Sequence, residues 1–130
     1  MGDTLVERLE RFLRAYADDD ADAIAETVAE DAVWHVGGAH RMSGDYQGRE
    51  AVLGLLRGFH EPTQNRLKVE PRDVLEGDEH LMSFTHVTAE REGDKLDVIM
   101  ADAMRFGADE RVGELWTLSN DQRAVDAFIG

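Results

Sequence analysis

Leu5, Leu9, Phe12, Leu13 and Tyr16 recur at intervals of three and four along TLVERLERFLRAYADDD. That spacing gathers them on one stripe of a helix. Thr4 and Glu7 stand three apart at its start, the pattern of a capping box. A second, shorter helix follows in DADAIAETVAEDA, capped near Asp20, with Ile24 and Val28 inward. AVWHV (32–36) is rich in strand formers and stops at Gly37-Gly38, so it reads as a short strand. GGAHRMSGDYQG carries four glycines in twelve residues and reads as a loop. Helical spacing returns in REAVLGLLRGF (49–59), with Val52, Leu55, Leu56 and Phe59 on the apolar face.

Beyond Pro62 the pattern becomes one of strands. Four are expected, separated by the turn signals EGDE, REGDK and FGADE. Pro71 cannot donate to a ladder, which places the first of the four at a sheet edge or at a bulge. SNDQRAVDAFIG closes the chain as a helical turn or two, with Ser119 as N-cap and Val125, Phe128 and Ile129 packing back. Helices followed by a strand meander predict a single α+β domain over residues 1–130. The N-terminal helices then cover the concave face of a curved antiparallel sheet. Such a cone has an apolar interior suited to a ligand.

One position breaks the pattern. In LDVIMADAMRF, Leu96, Val98, Met100, Met104 and Phe106 fall on one side of a strand, and Asp102 falls among them. A carboxylate on an apolar face is costly to ionise, so its pKa is expected to rise. Neutral, it can donate a hydrogen bond to a ligand oxygen; ionised, it can act as a base. The alternative is a buried aspartate held by an arginine or by backbone groups. In LMSFTHVTA, Met82, Phe84, His86 and Thr88 share a face. If that face and the Asp102 face both look inward, His86 and Asp102 form an acid/base pair; otherwise His86 is a structural histidine. Arg105 alternates to the side opposite Asp102 and is expected to pair with Glu114 or Glu90.

Composition narrows the classes. A formal net charge of -14 opposes binding to phosphate backbones and to anionic membranes. No apolar run reaches the length of a membrane span. With no cysteine and no hydrophobic signal core near the start, a cytoplasmic setting is expected. His35, His40, His60, His80 and His86 show no metal-ligand spacing, so neither a metal nor a cofactor is expected. GGAHRMSG lacks the GK[ST] ending of a phosphate loop, and no GxSxG is present.

Three stretches carry a family resemblance: AYADDDADAIAETVAEDAVWHV, MSGDYQGREAVLGLL and DAMRFGADERVGELWTLSNDQRAVDAFI. Together they resemble the nuclear transport factor 2-like (cystatin-like roll) superfamily and, within it, the SnoaL-like proteins. That superfamily holds ketosteroid isomerases, polyketide cyclases, epoxide hydrolases, dehydratases and members without chemistry, so the fold alone does not name an activity. In ketosteroid isomerases a tyrosine and a protonated aspartate form an oxyanion hole, and a second aspartate is the base. The resemblance puts the protonated aspartate at Asp102. It puts the tyrosine at Phe12, one helical turn before Tyr16, and the base at Val36, so the isomerase set is incomplete here.

The resemblance also implies a pocket for a small, mostly apolar ligand or substrate. Trp34, Val36, Phe12, Tyr16 and Phe59 would wall it, with Met82, Phe84, Met100 and Met104 on the sheet. His40 and Tyr46 would stand at the mouth, His40 as a third catalytic candidate; each is otherwise an ordinary loop residue. The outer sheet face, with Ile99, Ala101 and Ala103, is expected to form a homodimer, as in many relatives. The implied activity is a cofactor-independent isomerase, cyclase or dehydratase, or else non-catalytic ligand binding or a dimeric scaffold.

Overall fold

The computed structural model describes residues 4–63 and 66–130, and the side chains of all of these except 60–63. Helix α1 runs Leu5–Ala17, α2 Ala21–Thr27, α3 Arg49–Thr63 and α4 Gln122–Ile129. The strands are β1 Val28–Val36, β2 Gly44–Gln47, β3 Lys68–Glu76, β4 His80–Arg91, β5 Asp94–Phe106 and β6 Val112–Ser119. They form one six-stranded sheet in the order β2-β1-β6-β5-β4-β3.

The local signals act as their chemistry requires. The Thr4 hydroxyl accepts from the Glu7 N–H at 3.1 Å, and the Asp20 carboxylate accepts from the Ala23 N–H at 3.1 Å. Each satisfies an orphan donor of a helix start. The predicted Ser119 cap is corrected: Asp121 caps α4 by accepting from Ala124, and Ser119 instead accepts from the Asp121 N–H. Pro71 lies on edge strand β3 beside a register shift between Pro71 and Asp73, so both of its expected settings coincide.

Three boundaries differ from the sequence expectation. Helix α2 ends at Thr27, and Val28 already belongs to β1, which is longer than AVWHV. The glycine-rich loop contains β2, whose Asp45 and Tyr46 pair with His35 and Trp34. Glycine lowers strand propensity, but a short edge strand needs only a partner ladder. The sheet is mixed rather than purely antiparallel, because β1 runs parallel to β6.

The core sits between the helices and one face of the sheet. Leu9, Phe12 and Leu13 of α1, Val52, Leu55 and Leu56 of α3, and Val125 of α4 pack against Leu81, Val98, Met104 and Leu115. Each such side chain contributes roughly 1.5–3 kcal/mol by leaving water. Among the described residues no helix is long and apolar enough to cross a membrane.

Candidate functional site

Between the helices and the concave face lies a cavity of about 150 Å³. Strand register decides which side chains enter it. Asp102 stands opposite Ser83 on β4 and Thr117 on β6, and Thr117 stands opposite Val36 on β1. Opposed residues share a face. The row Ser83–Asp102–Thr117–Val36 therefore faces the helices, as does the next row, Leu81–Met104–Leu115–Trp34.

Asp102 is packed within protein but keeps part of its surface open, because it borders the cavity. Burial pushes its carboxyl up to about 6, and a hydrogen bond from the Thr117 hydroxyl holds it back from rising further. Tyr16 projects into the same cavity from α1. Burial raises its phenol well above the usual tyrosine range, the negative charge of Asp102 raises it further, and Asp19 adds a smaller push. The two acids thus sense each other, and near neutral pH the phenol keeps its proton. Phe12, where the resemblance puts the tyrosine, stacks against Tyr16 at 6.2 Å and meets Trp34 edge-on at 5.6 Å; Tyr16, one turn on, shares the cavity with Asp102 and feels its charge.

Trp34, Val36, Phe59, Met100 and Met104 line the cavity with Phe12 and Tyr16. The Trp34 indole N–H is buried with no acceptor among the described residues. His40 also lines the cavity. Its Nδ1 accepts from the Met42 N–H at 3.1 Å, so in the neutral ring the proton sits on Nε2. Burial holds the ring below the ordinary histidine value; Asp126 opposes this, Arg41 reinforces it and the Gly37 backbone opposes it.

Four predicted site residues lie elsewhere. His86, Met82 and Phe84 are on the outer face: Leu81, Ser83 and Thr85 of β4 oppose Met104, Asp102 and Met100, which leaves the even-numbered residues outside. Hydrophobicity alone favoured Met82 and Phe84 as the inward row, because Ser83 and Thr85 are polar. Those two hydroxyls are tolerated inside because they hydrogen-bond each other at 2.8 Å. His86 bridges Arg72 (2.9 Å) and Asp97 (2.7 Å) across the outer surface, away from Asp102. A guanidinium only donates, so Nδ1 of His86 accepts and Nε2–H donates to Asp97. Tyr46 does not line the cavity; its hydroxyl donates to the Met42 carbonyl at 2.7 Å and staples the loop. The side chain of His60 lies outside the described residues.

Thr117 and the C-terminal helix were not foreseen as parts of the site. The turn signal FGADE announced the β5–β6 hairpin, but a bulge between Arg105 and Phe106 moves the register, so counting from the turn does not place Thr117 opposite Asp102. Val125, Phe128 and Ile129 of α4 close one side of the cavity. The last carbonyls of α4 accept from arginines: Ile129 from Arg41 Nε at 3.1 Å and Phe128 from Arg91. Cations at a helix C-terminus are favourable.

The outer face carries its own apolar row. Leu75, Met82, Ala103, Trp116, His35 and Asp45 stand side by side across the strands, with Leu118 in the next row. His35 binds Asp45 and Glu114 through its two ring nitrogens, each at 2.8 Å, and stacks on Trp116. Arg105 pairs with Glu114 at 3.7 Å, as its alternation suggested.

Comparison with known proteins agrees with this architecture. The sequence pattern of the SnoaL-like domain matches residues 9–115. The solved structure of Bal32a, from a soil-derived mobile gene cassette, is 29% identical, with a TM-score of 0.92 over 97% of this chain and 96% of that one. A Xanthomonas campestris protein with a cystatin-like fold is 20% identical, with a TM-score of 0.90 over 98% and 99% of the two chains. A nuclear transport factor 2-like protein from Burkholderia xenovorans is 17% identical, with a TM-score of 0.81 over 97% and 95%. No curated protein matches the sequence.

Proposed function

The chain belongs to the SnoaL-like domain family, and from that premise we propose that its cavity binds a small, mostly apolar molecule bearing a carbonyl, enol or epoxide oxygen and acts on it by acid/base chemistry. The observation that carries this is the pairing of Asp102 and Tyr16 in one apolar cavity. The neutral carboxyl of Asp102 and the Tyr16 phenol each donate to the ligand oxygen. Two donors in a water-poor site stabilise negative charge as it builds on that oxygen, and removing one such donor typically costs about 100- to 1,000-fold in rate. Polarisation of this kind assists isomerisation, aldol-type cyclisation, dehydration and epoxide opening, and no step calls for a metal or cofactor. His40 is not the base, since its Nδ1 already accepts from the Met42 N–H. Where a proton must be removed, the ionised fraction of Asp102 is the available base.

A second reading, ligand binding without turnover, is favoured by one feature. Among the described lining residues Asp102 is the only carboxylate, so the cavity offers no separate acid and base. A panel of small cyclic ketones, enones and epoxides, assayed for turnover, separates the two. Asp102→Asn is expected to lower kcat/KM at least 100-fold with the fold intact. Unchanged turnover would remove Asp102 from the chemistry, and binding without any turnover would leave the second reading.

The outer apolar row supports a homodimer. Leu118 is 63% exposed and Leu75 56%. Beside them Arg72, Arg105 and His35 partly offset the acidic groups of this face, which eases the approach of two chains of net charge -14. A cytoplasmic setting completes the proposal, since a chain without cysteine has no disulfide for an oxidising compartment to form.

A further inference from the structure

We infer that the ligand is a neutral, single-ring molecule, on the order of ten non-hydrogen atoms, with no anionic group. The inference rests on the proposed roles of Asp102 and Tyr16 and adds size and charge to them.

Size comes first. A cavity of about 150 Å³ is the size of an engineered apolar cavity that takes up benzene. It falls below the roughly 300–1,000 Å³ typical of pockets for drug-sized ligands. The walls resist enlargement. Leu55, Leu56, Met104 and Val125 are core residues as well as lining, and Phe12 is held between Tyr16 and Trp34. Close-packed side chains of this kind yield only by moving a helix. Phe59 differs, being half-buried at the end of the α3 stripe, and so forms a rim.

Charge comes second. No lysine or arginine is among the described lining residues. A carboxylate or phosphate would leave water without a partner, close to Asp102 and within a chain of net charge -14.

Chemical-shift titration at pH 5.5 tests this with five compounds: cyclohex-2-enone, a two-ring octalone, a four-ring steroid enone, cyclohexene-1-carboxylate and cyclohexene. The one-ring enone is expected to bind at least tenfold tighter than both the steroid and the carboxylate. In Phe59→Ala the octalone is expected to gain at least fivefold while cyclohexenone changes less. A steroid or carboxylate that binds as tightly as cyclohexenone overturns the inference, as does an octalone indifferent to Phe59→Ala. Asp102→Asn tests the underlying proposal separately: it should weaken cyclohexenone and leave cyclohexene unchanged. No weakening of either compound, or equal weakening of both, with the size series intact, refutes oxygen polarisation while the size limit stands. No shifts from any ring compound at millimolar concentration overturn both.

Discussion

Replacing Asp102 by asparagine should make the protein more stable, with the gain appearing above about pH 4. A carboxyl moved from 3.8 to about 6 by folding binds its proton more tightly in the folded chain than in the unfolded one. The unfolded chain therefore ionises first as pH rises. Stability is lost from about pH 4 to pH 6, at up to about 1.4 kcal/mol per pH unit, and the loss is constant above that. The full cost at pH 8 is about 3 kcal/mol; at pH 4 it is about 0.5 kcal/mol. Part of the Asp102 surface borders the cavity, where water screens the charge, so the measured gain should fall between about 1 and 3 kcal/mol. Asparagine keeps the volume and can still accept from Thr117, so no cavity or orphan hydroxyl offsets the gain. For a chain of 130 residues that is a rise in Tm of about 4 °C per kcal/mol. Urea unfolding of both proteins at pH 4, 6 and 8, followed by circular dichroism, gives the comparison. The other acidic residues are common to both proteins and cancel in the difference. A gain of equal size at all three pH values would refute the burial of an ionisable group at Asp102. So would a variant less stable than the parent at pH 8.

The same titration should govern binding: affinity for a neutral enone stays level below about pH 5 and falls, up to tenfold per pH unit, as pH rises past about 6, whereas in Asp102→Asn calorimetry should show a flat profile. Glu114 and then Asp45 hold the His35 imidazole above its ordinary value of 6.5, so its contribution to stability is present below pH 6.5 and disappears as pH rises through the folded value; an NMR titration should show the midpoint drop in Glu114→Gln and in Asp45→Asn, and an unmoved midpoint would contradict the pairing. Leu118→Glu, at a residue 63% exposed, should abolish the proposed dimer in sedimentation velocity while circular dichroism stays unchanged, and a parent that sediments as a monomer would refute that dimer. Leu9→Ala, at a core residue 1% exposed, should cost about 2–5 kcal/mol, read as a lowered urea midpoint.

Local signals in this chain were legible because they depend on neighbours only a few residues away. Thr4 and Asp20 cap their helices through backbone N–H groups three residues on, so their role follows from spacing alone. The turn peptides EGDE, REGDK and FGADE bound the strands as expected. Strand β2 was not legible, since its four residues have little apolar pattern and are held by their ladder to β1. The Asp121 cap was missed by a small margin of position: Ser119 and Asp121 are both good N-cap residues, and the last turn of the sheet decides between them.

The sequence by itself determined every element but β2, the class of fold and the anomaly at Asp102, because each is written in periodicity or in a residue out of keeping with its row. Which faces meet was decided only in three dimensions. Both rows of β4 are partly apolar, and the choice between Phe84 and Ser83 as the inward residue depends on pairing with β5. That pairing sends His86 to Arg72 and Asp97 on the outside and sets Ser83 beside Asp102. Likewise, only the packing of α1 against the sheet brings the Tyr16 hydroxyl, rather than the Phe12 ring, within electrostatic reach of Asp102. One helical turn is a small offset in sequence, but it changes which atom reaches the carboxyl: a hydroxyl that can donate a hydrogen bond, or a hydrocarbon edge that cannot.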